Sequence, residues 1–281
     1  MSQSPEECIK RLALEGGASV VGIASVSQIN QYVPPEHRPD DILGRARSVV
    51  VVGRPRYTAG TWLTAHTEVL HRARVAVGGR DSLALNIARF IEREYGYPSI
   101  LYNSQMRDTG FNPALSLKVC AEMAGLGTRS MAGGIILNEY YGLLGFAAAI
   151  TTMGLKADGP LAESVCPHPA CVSLWEREQT TPCMEVCGAI EGRIENGRLK
   201  EVVYYRQLCA IRCQTTMNTA YLRLLPEIVA EEDPLKRRYL AIGQARMYAE
   251  DPPGRGVWGR CIECMRVCPV NRRAIKLTGG V

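Results

Sequence analysis

The chain has 281 residues, 46% apolar and 22% charged, enough for a substantial core in one large domain or two modest ones, and unlike a disordered or fibrous chain. Its net charge of +5 is mild and spread out, with "KRRY" and "NRRAIK" as small local clusters, so nucleic-acid binding is not expected. The opening "MSQSPEECIKRLALEGG" lacks the apolar run of a secretory signal, and no stretch of about 18 apolar residues occurs, so a cytoplasmic protein off the membrane is expected.

A helix is predicted to open at Ser4, with Pro5 in its first turn and Glu7 three residues after the cap, and to stop at Gly16 and Gly17. "SVVGIASV" and "RSVVVVGRP" are β-branched runs of strand length. "DSLALNIARFIEREYGY" puts Leu83, Ile87, Phe90, Ile91 and Tyr95 on one helical face. "PSILYN" reads as a short strand. "PALSLKVCAEMAG" reads as a second helix, with Leu115, Val119 and Met123 at four-residue spacing and the glycines of "AGLG" at its end. "GGIILN" and "GFAAAITT" are further strands. Apolar strands between amphipathic helices predict an α/β module, a sheet covered by helices, over residues 1–156.

From 157 to 281 the pattern changes. Residues 166–213 read as cysteine-rich loop, and "TAYLRLLPEIVAEE" as a helix interrupted or ended near Pro226. "PLKRRYLAIGQARMYAE" is predicted to be helical, and "EDPPGRGVWGR" returns the chain through a loop to the last cysteines.

Of eleven cysteines, only Cys8 and Cys120 precede residue 166, and both sit on helix-like segments as small core residues. The other nine, in a long chain without a secretory signal, point to metal rather than to disulfides. "CIECMRVCP" is a Cys-x₂-Cys-x₃-Cys-Pro run, the back end of the motif by which two-cluster ferredoxins wrap a cubane and pass their last cysteine to the other cluster. "CPHPACVSLWEREQTTPCMEVCGAI" supplies Cys166, Cys171, Cys183 and Cys187 with the same Cys-x₃-Cys ending. The expected module is ferredoxin-like with two 4Fe–4S clusters. One takes Cys166, Cys171, Cys183 and the distant Cys268; the other takes Cys187, Cys261, Cys264 and either Cys209 or Cys213. Zinc ribbons present two separate Cys-x₂-Cys knuckles, and this chain has one.

With these residues in hand, the chain resembles the epoxyqueuosine reductase-like iron–sulfur proteins, relatives of the corrinoid-dependent reductive dehalogenases. "ASVVGIASV", "HRPDDILGRARSVVVVGRP", "KVCAEMAGLGTRSMAGGIILNEYYG" and "AAAITTMGLKADGPL" are similar to successive blocks of that family, and Cys209 in "YRQLC" matches its lone cysteine. The resemblance implies a nitroreductase-like module that cradles cobalamin, two clusters relaying electrons to it, a small-molecule substrate, and a low-potential donor such as ferredoxin or flavodoxin. The chain ends thirteen residues after Cys268, short of the family's helical-repeat extension that helps hold tRNA, so a substrate other than that of queuosine biosynthesis is expected. It also lacks the aromatic residue and the lysine of the family's "G-L-G-W-x-G-K" segment.

Within that frame Asp108 is the first candidate general acid, since a carboxyl beside an apolar cofactor has a raised pKa, although Asp-Thr-Gly is also ordinary turn chemistry. Tyr140 and Tyr141 are alternative donors, with a core or sheet-edge aromatic as the plainer reading. Gly125, Gly127, Gly133 and Gly134 would let backbone approach a large flat cofactor, or would simply end a helix and make a turn. His168 reads as a surface-loop histidine near Cys166. Three functions are distinguished: a corrinoid-dependent reductase, an electron carrier that activates another corrinoid or flavin protein, and a reductase of the same fold holding FMN.

Overall fold

The first helix, Pro5–Glu15, is set by its own start. Ser4 Oγ accepts from the Glu7 amide at 3.2 Å, and the Glu7 carboxylate accepts from the Ser4 amide at 2.9 Å. The chain leaves the helix at Gly16 and Gly17, the latter at φ 93°. This computed structural model describes residues 3–55, 57–63, 79–103, 113–205, 208–209, 219–250 and 262–274, with backbone alone at 219–224, 244–250 and 274. Asp108, Cys213 and Cys261 lie outside the described residues.

Six strands follow the helix: β1 (Val20–Ser25), β2 (Ser48–Pro55), β3 (Ser99–Asn103), β4 (Thr128–Arg129), β5 (Ile136–Asn138) and β6 (Gly142–Thr151). They form one antiparallel sheet with β6 at its centre. β2 pairs along one edge of β6, while β3 and β5 share the other. β1 flanks β2, and β4 flanks β5.

Strand residues alternate between two cores, as a period of two requires. Val49, Val51, Ala148 and Ile150 join the layer containing helix Leu117–Met123. Val50, Val52, Ala147 and Ala149 join the layer of helices Pro5–Glu15 and Arg80–Tyr95. Both faces are covered, which explains the unbroken apolar runs. In the Arg80–Tyr95 helix Leu83, Ile87 and Ile91 are buried, and Phe90 meets Tyr95 edge-on with ring centroids 5.8 Å apart.

Tyr102 ties β3 to the start of the next helical layer. Its hydroxyl donates to Leu115 O at 2.8 Å and accepts from Leu115 N at 2.7 Å, with both residues fully buried. Tyr102→Phe leaves both Leu115 backbone groups unpaired. It is expected to cost about 2–4 kcal/mol, read as a lowered urea midpoint at unchanged slope.

Several local expectations are corrected. The cysteine-rich region contains a hairpin, β7 (Ile190–Glu195) and β8 (Arg198–Tyr204), joined by Asn196 at φ 51° and Gly197 at φ 71°. Left-handed values at both central residues make this the tight turn whose twist matches its strands. Helix Thr219–Ala230 runs through Pro226, losing one backbone hydrogen bond there without ending. Cys120 is buried, with its thiol pushed up to about 12 by that burial, but Cys8 is only half-buried.

Strands β1–β6 lie within residues 1–156 and the hairpin lies beyond them. The segment after β6 is pinned to the elements that precede it. Asp158 accepts from the Ile23 amide at 2.8 Å, Glu6 accepts from the Lys156 amide at 2.9 Å, and Thr128 Oγ1 accepts from the Val165 amide at 2.9 Å. The Lys156 amide is also the main reason the Glu6 carboxyl titrates below its usual range. Among the described residues, no helix is long and apolar enough to cross a membrane.

Candidate metal centre

Four cysteines reach one cavity by four routes. Cys166 follows the segment pinned by Thr128, Cys171 lies in helix Pro169–Glu178, Cys183 in the short helix Pro182–Glu185, and Cys268 immediately before helix Pro269–Ala274. All four are buried and line the same cavity, together with Ser130, Met131, His168 and Thr181. These are the four residues grouped from spacing alone.

The cavity's other wall is the turn between β4 and β5. Ser130 N donates to Ile135 O at 2.9 Å and Gly134 N to Ser130 O at 3.1 Å, with Gly133 and Gly134 at φ 63° and 64°. This closed turn aims the Met131 N–H at Cys166 Sγ, 3.4 Å away. On the opposite side Thr181 Oγ1 lies 3.2 Å from Cys183 Sγ. Burial pushes the Cys166 thiol up to about 12, opposed by the Met131 N–H and reinforced by neighbouring sulfurs, and pushes Cys171 up to about 11. Burial raises Cys183 and Cys268 as well. Among the described residues no group of three His, Cys, Asp or Glu could hold a single metal ion. Thiolates on one zinc stand about 3.8 Å apart, given a Zn–S distance of about 2.3 Å.

Cys187, Cys209 and Cys264 belong to the same apolar core, where Cys187 is buried and the other two are half-buried. Helix Pro182–Glu185 packs on helix Glu263–Arg266, bringing the Cys183–Cys187 segment against the one carrying Cys264. Lys118 donates Nζ to Gly133 O at 3.1 Å. As a residue Lys118 is exposed, yet dense protein around its ammonium lowers its pKa, Arg129 adds to the effect, and Cys209 and Cys264 oppose it. Tyr57 and Trp62, edge to face at 4.7 Å, belong to this core as well.

The last cysteine segment is held to the sheet by Asn271, which is 1% exposed. Its Nδ2 donates to Met265 O at 3.1 Å and its Oδ1 accepts from Leu143 N at 2.9 Å. Gly142, at φ 61°, makes room: a Cβ there would lie 2.5 Å from Asn271 Oδ1.

The other predicted residues sit elsewhere. Tyr140 and Tyr141 are exposed in the β5–β6 turn, where Asn138 Oδ1 accepts from both of their amides, and neither lines the cavity. A Cβ on Gly125 would meet Gly159 O at 2.7 Å and one on Gly127 would meet Leu137 O at 2.4 Å, so these two glycines admit the chain's own backbone. Gly133 packs under the Tyr204 ring, and only Gly134 of the four faces open space. His168 lines the cavity while Nδ1 accepts from the Ala170 amide as the cap of helix Pro169–Glu178. Ser130, Thr181 and Asn271 were not legible as site residues. The Thr-Pro pair before Cys183 is a helix-start signal that could have flagged Thr181.

No protein-family model and no curated protein matches the chain. Solved structures do. An epoxyqueuosine reductase aligns with a TM-score of 0.51 at 16% identity, over 95% of this chain and 65% of its own. The enzyme from Streptococcus thermophilus aligns at 0.51 and 15% identity, over 96% and 67%. An epoxyqueuosine reductase solved with a modified tyrosine tRNA stem loop aligns at 0.50 and 17%, over 95% and 65%. A catabolic reductive dehalogenase aligns at 0.38 and 19%, over 69% and 28%. The fold is thus similar to that of epoxyqueuosine reductase. The chain spans about two thirds of the length of the epoxyqueuosine reductases it matches.

Proposed function

We propose that this chain is an iron–sulfur reductase in which two 4Fe–4S clusters deliver electrons to a corrinoid held by the first module, for reduction of a small organic substrate. One observation carries the reading: Cys166, Cys171, Cys183 and Cys268 meet at one buried cavity within a fold similar to epoxyqueuosine reductase. The donor set is all sulfur, deeply buried, and already given hydrogen bonds at Cys166 and Cys183, which fits a soft polynuclear group taken up as thiolates. Those four residues would hold one cluster. Cys187, Cys209 and Cys264, with Cys261, would hold the other.

A bound corrinoid would supply the reductive chemistry; the chain's residues bind, orient and exclude water. The first module offers a place for an anionic part of such a group. Arg80 is half-buried with Nε and Nη1 unpartnered; burial lowers its pKa, and Arg54 beside it adds repulsion that Asp81 offsets. Arg80 opens helix Arg80–Tyr95, whose Gly79 cap gives no side-chain hydrogen bond. The unpartnered Arg80 nitrogens, with the Arg54 guanidinium beside them, fit a phosphate or carboxylate.

A second reading is an electron carrier without a catalytic cofactor of its own. It is favoured by Gly125 and Gly127 facing backbone and by Tyr140 and Tyr141 standing in an exposed turn. Anaerobic purification with iron, sulfide and cobalamin analysis separates the readings. About eight irons and a retained corrinoid are expected. About eight irons with no corrinoid or flavin retained would move the assignment to the carrier, and zinc in place of iron would overturn both. A tyrosine tRNA stem loop should leave the protein's mobility unchanged in the same preparation; a shift would place nucleic acid among the substrates.

A further inference from the structure

The helix that follows Cys268 brings positive charge to the outside of the cysteine core. Helix Pro269–Ala274 packs on β6, and its Arg272 amide donates to Cys268 O at 2.9 Å, so Arg272 stands one turn from a proposed cluster ligand. Arg272 and Arg273 are both exposed. Among the described residues no ion pair involves Arg272, and Arg273 meets Glu139 across 3.8 Å at the surface, a pair of little strength. Glu139 belongs to the β5–β6 turn, which also carries Tyr140, 74% exposed, and Tyr141, 41% exposed. That turn is firmly seated: Asn138 Oδ1 accepts from both tyrosine amides, at 2.9 and 3.0 Å, and Gly142 lies against Asn271. Two exposed tyrosines and two exposed arginines therefore stand together beside the segment that carries Cys264 and Cys268, one proposed ligand of each cluster. Single exposed side chains need no explanation, but Tyr and Arg are the types enriched at protein interfaces. A turn held in advance also lowers the ordering cost of binding.

We propose that Tyr140, Tyr141, Arg272 and Arg273 form the docking site of an acidic one-electron carrier protein that reduces the clusters. The proposal rests on the iron–sulfur reading above. In the step itself the carrier's centre loses one electron and a cluster gains it; no covalent bond forms or breaks. A chain of net charge +5 attracts an acidic partner at long range, and the two arginines orient it beside Cys268. Nucleic acid is the poorer occupant. Two arginines with Glu139 among them do not make the concentrated basic surface that phosphates need.

The test is stopped-flow reduction of the anaerobically purified full chain by a reduced plant-type 2Fe–2S ferredoxin, with photoreduced deazariboflavin as a small neutral reductant. The wild-type rate constant with ferredoxin should fall as salt rises. Arg272→Glu/Arg273→Glu should slow ferredoxin about tenfold at low salt and approach wild type at high salt, with reduction by deazariboflavin unchanged. Arg89→Glu/Arg93→Glu makes the same change of net charge on exposed positions of helix Arg80–Tyr95 and should slow ferredoxin less than about twofold. Tyr140→Ala should slow it at every salt concentration. Equal slowing by the two charge reversals would reveal net charge without a site and overturn the proposal, as would a rate indifferent to Arg272 and Arg273. A shift of the tRNA stem loop by wild type that the Arg272/Arg273 reversal abolishes would overturn it in favour of nucleic acid. If that reversal disturbs cluster assembly, Arg272→Gln/Arg273→Gln is read in the same way, with about a threefold loss expected. Zinc in place of iron would bring down the iron–sulfur reading and the docking site with it, and the metal analysis tells that failure apart.

Discussion

Replacing Cys268 by alanine is expected to remove about four of about eight irons, and to remove the same four as replacing Cys166. The two residues lie about a hundred positions apart in the chain but line one cavity. The double variant Cys166→Ala/Cys268→Ala should therefore lose no more iron than either single variant. Cys264→Ala combined with Cys268→Ala, by contrast, should lose nearly all of it, because these near neighbours in sequence are assigned to different clusters. Additive losses from Cys166 and Cys268 would mean that the crossed pairing is wrong. Stability should follow the same logic. A cross-link closing a loop of about 100 residues restricts the unfolded chain by about 4–5 kcal/mol in the chain-entropy picture. Removing Cys268 should accordingly lower the thermal midpoint by more than removing Cys8, which is half-buried and outside the cysteine core.

Much of this was legible because local and tertiary signals agree. The β2 run from Ser48 to Pro55 is apolar on both faces, so burial by two helical layers was the simple solution. Ser4 and Glu7 announce the first helix without any tertiary contact. The cavity cysteines were legible because their spacing is that of segments that wrap a cubane in two-cluster ferredoxins. The β7–β8 hairpin was also written plainly, with Asn196-Gly197 between alternating strands, and is overlooked only when cysteine density is taken to mean loop. Other features depend on what comes from far away. "AGLG" shows that small residues with freedom at positive φ are needed, but not that the atoms approaching them are Gly159 O and Leu137 O. Pro226 shows that local preference yields when the rest of a helix is held. Asn271 is a polar residue buried against Leu143, a partner distant in sequence, and nothing near it in the chain marks this.

Asn271→Ala should destabilise the fold by about 1–3 kcal/mol and hasten loss of iron from both clusters to a chelator. The buried Leu143 N–H loses its partner, and Met265 C=O loses one donor while keeping the Cys268 N–H at 3.3 Å. Met265 lies between Cys264 and Cys268, so the freed segment carries one proposed ligand of each cluster. The sheet should survive, since its two cores include neither Asn271 nor Met265. Asn271→Asp sharpens the test. A neutral aspartic acid has one O–H donor and one carbonyl acceptor and can reproduce both bonds, whereas the ionised form has no donor for Met265 O. Burial raises such a carboxyl above its unfolded value of about 3.9, so the stability it contributes is present below that value and is lost as pH rises through the folded pKa. Iron retention by Asn271→Asp should thus fall with rising pH while Asn271→Ala stays uniformly poor. Wild-type chelator resistance in Asn271→Ala would show that the segment is held by the clusters alone. Loss in both variants at every pH would point to packing around the side chain rather than to its hydrogen bonds.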